Sequence, residues 1–158
     1  MIPINTLRDI VKNDIDIETA TIRAALIKDT TAYSPDAVNH STVDDVLDGG
    51  PTAEEYDDTN YSRQDVSGMQ VTSDTGDVEV VIDWDPTTWP SLGPNTGGQT
   101  VQGVLFYVQV GGDDSTPGDD PVLKVVDDSE TSELPKQTNG DDWQWSTAAE
   151  GAINLTPQ

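Results

Sequence analysis

The sequence predicts a mainly β protein: an antiparallel β-sandwich of about seven or eight strands with a short N-terminal helix. Apolar and polar residues alternate with a period of two in several segments, and turn-forming residues recur roughly every eight to fifteen positions. The 158-residue chain is also long enough to bury a core of its own. We expect one domain over residues 1–158, with a helical arm over about 1–17 and a long acidic loop region over about 29–60.

The N-terminal segment carries a helical pattern. Leu7, Ile10 and Val11 are spaced i, i+3 and i+4, and Asn5 is a residue type that caps helices. The resulting apolar stripe is too short to stabilise an isolated helix. We therefore expect it to pack against another surface or another subunit.

The period changes to two from Thr21. Residues 21–28 predict a strand with Ile22, Ala24 and Leu26 on one face, although two alanines keep a helix open as the alternative. Residues 29–60 are poor in apolar side chains. They predict a long exposed loop region with one turn of helix at 41–47.

The remaining strands follow in quick succession. Residues 77–84 alternate most clearly, with Val78, Val80, Ile82 and Trp84 on one side. Residues 100–110 are apolar on both faces, which is typical of a central strand. Further strands are predicted at 61–66, 68–72, 122–126, 142–146 and 152–156, the last two as a closing pair, whereas residues 85–90 predict a loop.

The charge restricts the partners. Thirty acidic residues stand against seven basic ones, giving a net charge of −23, which would repel nucleic acid and anionic membranes. Such self-repulsion opposes compaction at low salt and is largely screened at about 1 M salt. The 23 aspartates and four lysines resemble proteins of salt-loving archaea and their viruses, so we expect a high-salt environment.

Several classes of site are excluded or weakened by composition. The chain has no cysteine, which removes disulfides and thiolate metal sites, and its single histidine, His40, argues against a His-built zinc site. No apolar run reaches the length of a membrane span, and Met1–Ile4 does not resemble a signal peptide. With 30 acids, a pair of catalytic carboxylates carries no specificity, and we expect no enzyme activity.

Acidic clusters occur in many loops, where a solvated surface is the simpler interpretation. Oxygen-only clusters also suit hard structural cations such as Mg²⁺, Ca²⁺ or Na⁺. If one cluster binds a cation, the best candidates share a short loop: Asp113, Asp114, Asp119 and Asp120. No other cofactor is predicted.

The tryptophans are candidates for both core and surface. Trp143 and Trp145 share one strand face and are expected to pack in the core, with stacking on sugars as the alternative. Trp89 lies in a loop between Pro86 and Pro90 and is expected to be an exposed anchor for an oligomer or a partner. Asn39, Asn60 and Asn154 stand in N-glycosylation sequons, a weak signal.

The order of the segments resembles small accessory capsid proteins of tailed viruses, such as head-decoration and head-fibre proteins, over roughly residues 5–156. The opening run is Ile15–Ile27, and a final strand of the form G-x-I-x-L-T lies at Gly151–Thr156. The segments between them are Tyr33–Asp36, Tyr61–Gln64, Val66–Gly68, Asp83–Trp89, Val104–Val108, Pro121–Leu123 and Trp143–Trp145. The acidic loops at 40–60 and 111–120 are longer than the family pattern.

The resemblance implies a non-enzymatic virion protein, here of a haloarchaeal tailed virus. Such a protein would be made in the host cytoplasm and would decorate the capsid surface, or form a turret there, as a symmetric homo-oligomer bound to the major capsid protein. The alternative is a tail- or fibre-associated module that binds a receptor or carbohydrate.

Overall fold

Antiparallel strands dominate the computed structural model, which describes residues 1–12, 14–28, 36–47, 53–74, 79–93, 99–147 and 152–155. Within these ranges the protein is mainly β and sandwich-like, as predicted. The helices are α1 (Ile4–Val11) and α2 (Val43–Leu47). The ten strands in the described ranges are β1 (Ile22–Lys28), β2 (Glu54–Glu55), β3 (Gln64–Asp65), β4 (Gln70–Asp74), β5 (Glu79–Asp83), β6 (Thr87–Trp89), β7 (Val101–Val108), β8 (Val122–Asp127), β9 (Trp143–Trp145) and β10 (Ile153–Leu155).

The largest sheet has five strands, with β1 and β7 at its centre. They pair antiparallel from Ile22 opposite Val108 to Lys28 opposite Val101, and β8 continues the sheet beyond β7. The other edge of β1 is shared: β3 pairs near its start and β2 near its end. The prediction of a central strand at 100–110 is confirmed, because β7 is buried on both faces.

The first core lies between one face of this sheet and two smaller sheets, β10-β5-β4 and β6-β9. Ile22, Ala24 and Leu26 of β1 all point into it, which confirms their predicted common face. The β6-β9 sheet contributes Trp89, Trp143 and Trp145, and the predicted core position of Trp143 and Trp145 is confirmed.

The second core covers the opposite face of the large sheet, where Leu105 and Tyr107 of β7 are fully buried. Helix α2, as predicted near 41–47, supplies Val43 and Val46, and Ala53 joins them. The expectation that 29–60 is an exposed excursion is therefore wrong for these residues. Their few apolar side chains are buried because β7 is apolar on both faces and each face needs a cover.

The smaller strands depart from the prediction in four ways. Strand β6 lies where a loop was predicted, and β2 was not predicted at all. The two C-terminal strands do not pair with each other: β9 pairs with β6 and β10 pairs with β5. On β5, Ile82 is buried as expected, but Val80 remains 39% exposed.

The N-terminal segment closes the free edge of β8. The Met1 amino group donates a 2.5 Å hydrogen bond to the Val125 carbonyl, and the Val125 amide donates to the Met1 carbonyl at 2.8 Å. Thr6 of α1 donates its hydroxyl to the Val122 carbonyl at 2.5 Å. Helix α1 begins after Pro3 rather than at the predicted cap Asn5. Neither of the described helices is long and apolar enough to cross a bilayer.

Candidate functional site

The predicted exposed anchor, Trp89, is fully buried, so that expectation is wrong. Its ring stacks on Trp143 with centroids 5.3 Å apart. The physical reason is that residues 87–89 form β6 and pair with β9 instead of forming a loop. Alternation along this short strand turns Thr87 and Trp89 inward together.

The predicted N-terminal stripe is only partly available to a partner. Ile10 packs against the first core, and Leu7 is half-buried. The side chain of Val11 lies outside the described part of the chain. The segment is thus attached to its own sandwich along much of its length, through Ile2, Ile10 and Ile15.

Exposed apolar side chains remain on α1 and on the neighbouring residues 37–38. Ile4 is 60% exposed and Val38 is 66% exposed, the two highest values among the large hydrophobic side chains that the structure describes. Their backbones are neighbours, because the Ile4 amide donates to the Ala37 carbonyl at 2.9 Å. Leu7 follows one turn later on α1. We call Ile4, Leu7 and Val38 the N-terminal patch.

Three of the four candidate cation ligands of the 111–120 loop accept hydrogen bonds from protein groups through their carboxylates. Asp113 accepts a 2.8 Å hydrogen bond from the Ser115 amide, and Asp120 accepts one of 2.7 Å from the Val110 amide. Asp114 accepts a hydrogen bond from the Arg23 guanidinium. The backbone amide of Asp119 donates to the Thr116 carbonyl, which closes a turn. No group of three or more metal-ligand side chains occurs within the described ranges.

Asp114 is the centre of a polar network over the second core. It accepts hydrogen bonds of 2.7 Å from the Tyr107 hydroxyl and the Gln109 amide, and one of 2.5 Å from Arg23. Burial alone would raise the pKa of Asp114, but the hydrogen bonds from Tyr107 and Gln109, with the charges of Arg23 and Arg63, hold it below its usual value. The carboxylate therefore stays ionised beside the arginines.

Arg63 continues this network to the edge of the sheet. Its guanidinium binds both oxygens of Glu55, and it donates at 3.2 Å to the Tyr107 hydroxyl while lying over the Tyr107 ring. The hydrogen bond to Glu55 raises the pKa of Arg63 against the effect of burial, and burial raises the pKa of Tyr107. Glu55 also accepts the Tyr61 hydroxyl at 2.6 Å.

Together these contacts attach β2, β3 and the 111–120 loop to β1 and β7. Arg23, on β1, adds a 2.9 Å bond to the Arg63 carbonyl and an ion pair with Asp65 at 3.1 Å. Two of the three arginines in the sequence are used in this way. Because each has several partners from different segments, the network is best explained as a structural clamp.

A cleft of about 290 Å³ opens on the other side of the large sheet, between β7–β8 and the ends of β5 and β9. Its apolar walls include Trp84, Phe106 and Trp145. The Trp84 and Phe106 rings contact each other with centroids 4.8 Å apart and a tilt of 51°. The sequence reasoning placed Trp84 and Trp145 on strands but did not bring them together.

Polar groups form the rim of this cleft. Lys124 donates to the Ala152 carbonyl at 2.5 Å and lies 3.7 Å from Glu130, which also binds the Met1 amino group. Glu133, Ser146 and Thr147 complete the polar lining. The arrangement offers both donors and acceptors next to aromatic surface.

The three sequon asparagines are all exposed. Asn39 donates to Asp36 at 2.7 Å, Asn60 donates to the Ser91 carbonyl at 3.1 Å, and Asn154 lies on β10. Their modification stays a prediction. Comparisons with protein-family models, with curated proteins and with solved structures found no match for this chain.

Proposed function

We propose that the protein is a virion structural protein that decorates the head shell of a tailed virus as a homo-oligomer. The order of sequence segments supports this, together with the mainly β fold that the resemblance implies. The observation that carries the proposal is the N-terminal patch, where the two most exposed large aliphatic residues lie on neighbouring segments.

The patch is proposed as the contact between copies of this chain. With a net charge of −23, two copies repel each other over most of their surfaces at low salt. High salt screens that repulsion and leaves burial of apolar side chains as the attractive contribution. A contact built on Ile4 and Val38 therefore suits a salt-rich medium better than one built on ion pairs.

An oligomer of this kind would bind a shell through several weak contacts at once. Linked contacts raise the overall affinity without requiring any one of them to be strong. The major capsid protein is the proposed partner, and neither nucleic acid nor a membrane is needed. The alternative of a receptor-binding fibre module was expected to use Trp89, which the fold buries.

Co-expression with the major capsid protein of the same virus tests the proposal. Shells are purified in about 2 M KCl, a concentration at which charge repulsion is screened, and sedimented. We expect the wild-type protein to sediment with the shells and the Ile4→Asp variant to remain in the supernatant. Val80→Asp, at another exposed valine, is the matched control and should sediment. Failure of the wild-type protein to sediment would contradict the proposal.

A further inference from the structure

We propose that α1 of one copy binds the loop at residues 111–120 of the next copy, so that subunits associate through two unlike surfaces. This inference rests on the proposed assembly and names the second surface of the same contact. The α1 surface consists of the N-terminal patch together with Arg8 and Lys12.

The first argument is the position of the exposed cations. Four of the seven basic residues are half-buried and form ion pairs with acidic side chains: Arg23, Lys28, Arg63 and Lys124. The other three are exposed, and they are Arg8, Lys12 and Lys136. Two of the three exposed cations therefore lie on α1 or at its C-terminal cap.

Helical spacing places these cations beside the exposed apolar side chains. Ile4, Arg8 and Lys12 follow one another at intervals of four residues and form one row along the helix. Asp9 accepts a hydrogen bond from Nε of Arg8, and Asn5 accepts one from Nη1. Within the described part of the chain, Nη2 of the guanidinium is left for a partner. The α1 surface thus combines apolar and cationic groups.

The distribution of charge favours a second copy as the occupant of this surface. Residues 1–12 contain two basic residues and one acidic residue, whereas the rest of the chain contains five basic and 29 acidic residues. Packing α1 against α1 would bring the cations of both copies together. Packing α1 against an acidic surface of the next copy pairs them with carboxylates, so contact between unlike surfaces is favoured.

The loop that follows β7 is the acidic surface that best complements α1. At its start, Val110 is 43% exposed and is one of four exposed large hydrophobic side chains in the described ranges. Asp113 and Asp119 are also exposed. The surface around Val110 is uncovered, because a Cβ at Gly111 or Gly112 would meet no atom within 4 Å. The loop therefore offers an apolar side chain beside carboxylates.

The apolar and charged parts of this contact have different roles. Burial of Ile4 and Val38 against Val110 supplies the attraction in high salt. The ion pairs select the orientation of the subunits, because charges in direct contact are screened less than charges on distant parts of the surface. A contact between two unlike surfaces gives a ring when its rotation closes.

The test is complementation between two variants, with the mass measured by light scattering in about 2 M KCl. Ile4→Asp loses the α1 surface and keeps the loop, whereas Val110→Asp loses the loop surface and keeps α1. We expect each variant alone to be a 17.0 kDa monomer and an equimolar mixture to form a dimer of twice that mass. Val80→Asp, at another exposed valine, is the matched control and should associate as the wild type does.

A charge swap tests which surfaces meet. In about 0.5 M KCl, the Arg8→Glu, Lys12→Glu protein should associate about tenfold more weakly than the wild type, the effect of two exposed ion pairs. The Asp113→Lys, Asp119→Lys protein should be weakened similarly, and mixing the two proteins should restore wild-type association. Lys136→Glu changes the third exposed cation and should have no effect.

The outcomes separate this inference from the proposed assembly. Unfolding midpoints verify that the variants are folded, and Val110→Ser serves as a second variant that adds no charge. If Val110→Asp and Val110→Ser associate as the wild type does, or if the mixture with Ile4→Asp stays monomeric, the inference is overturned while the assembly of the wild type stands. A wild-type protein that is itself monomeric would overturn both.

Discussion

Arg63 and Glu55 form a two-point ion pair in which Nε and Nη2 of the guanidinium each lie 2.8 Å from a carboxylate oxygen. The pair joins β3 and the residue before it to β2, and both strands border the same edge of β1. Tyr107 lies beneath the guanidinium. Arg63 is one of seven basic residues in the sequence. Its planar guanidinium has several donors and attaches β2 and β3, two short strands with few apolar contacts.

Replacing Arg63 with lysine keeps the charge but removes this planar geometry. We expect Arg63→Lys to lower the free energy of unfolding by about 1.5–3 kcal/mol, the contribution of a hydrogen bond to a charged group. Urea unfolding in concentrated KCl measures it. Arg8→Lys alters an exposed pair with Asp9 and should leave the urea midpoint unchanged. Equal midpoints for wild type and Arg63→Lys would show that the two-point pair contributes nothing.

The lowered pKa of Asp114 predicts how the free energy of unfolding depends on pH. Because its pKa is lowered in the folded protein, the folded state binds fewer protons at this site than the unfolded state. Its contribution is fully present above the unfolded pKa of about 4 and is lost as the pH falls through the lower folded value. Asp114→Asn should therefore be less stable than wild type at pH 7, and the difference should shrink below about pH 4.

The measurement for Asp114 is the free energy of unfolding at pH 7, 4 and 3 at constant salt. Asp119→Asn, in the same loop, removes one charge without removing an arginine partner in the described ranges, and it serves as the control. A difference between Asp114→Asn and wild type that is constant over this pH range would contradict the prediction.

A substitution at Gly103 tests how closely the central strand β7 packs against its neighbours. A Cβ at this position would lie 3.0 Å from the Val126 carbonyl oxygen and 3.2 Å from a methyl group of Ile27. Because the first contact is with backbone in a paired strand, Gly103→Ala should destabilise the protein by about 1–3 kcal/mol. Gly118→Ala, where a Cβ meets nothing within 4 Å, should be neutral. Thermal unfolding compares the two, and equal midpoints would count against the strand packing described.

The charge predicts salt-dependent stability. With a net charge of −23, the thermal midpoint should rise as KCl increases from about 0.1 M to 2 M, because the screening length falls from about 10 Å to below 3 Å. Chloride salts are used so that preferential exclusion of sulfate or phosphate does not add its own stabilisation. A midpoint that stays level or falls would contradict the high-salt interpretation.

The central strands and the first core were predictable because alternation along β1 and continuous apolarity along β7 are strong local signals. Among the short strands, β9 and β10 lie within the predicted segments 142–146 and 152–156, whereas β2 and β6 were not predicted. Pro86 and Pro90 indicate a loop, but they flank β6, whose only pairing partner in the described ranges is β9, so they leave the ladder intact. Strand β2 is two glutamates with no strand propensity, held by Arg63 and by a 2.9 Å ion pair between Lys28 and Glu54.

One feature of the sequence could have predicted the second core. Strand β7 is apolar on both faces, so some segment has to cover the second face, and Val43, Val46 and Ala53 do so. No sequence pattern predicted the cleft, because Trp84 follows β5 and Trp145 lies on β9, in a different sheet, and the packing of the two sheets brings them to one opening. Partners of half-buried charges are equally non-local, as Arg23 and Asp114 illustrate.

The most direct test of the proposed assembly is the mass of the protein in solution. Size-exclusion chromatography with light scattering in about 2 M KCl, where repulsion between copies is screened, should give an integral multiple of the 17.0 kDa chain. The doubly substituted Ile4→Asp, Val38→Asp protein should give 17.0 kDa, and Val80→Asp should match the wild type. A wild-type protein that stays monomeric at every concentration would contradict assembly through the N-terminal patch.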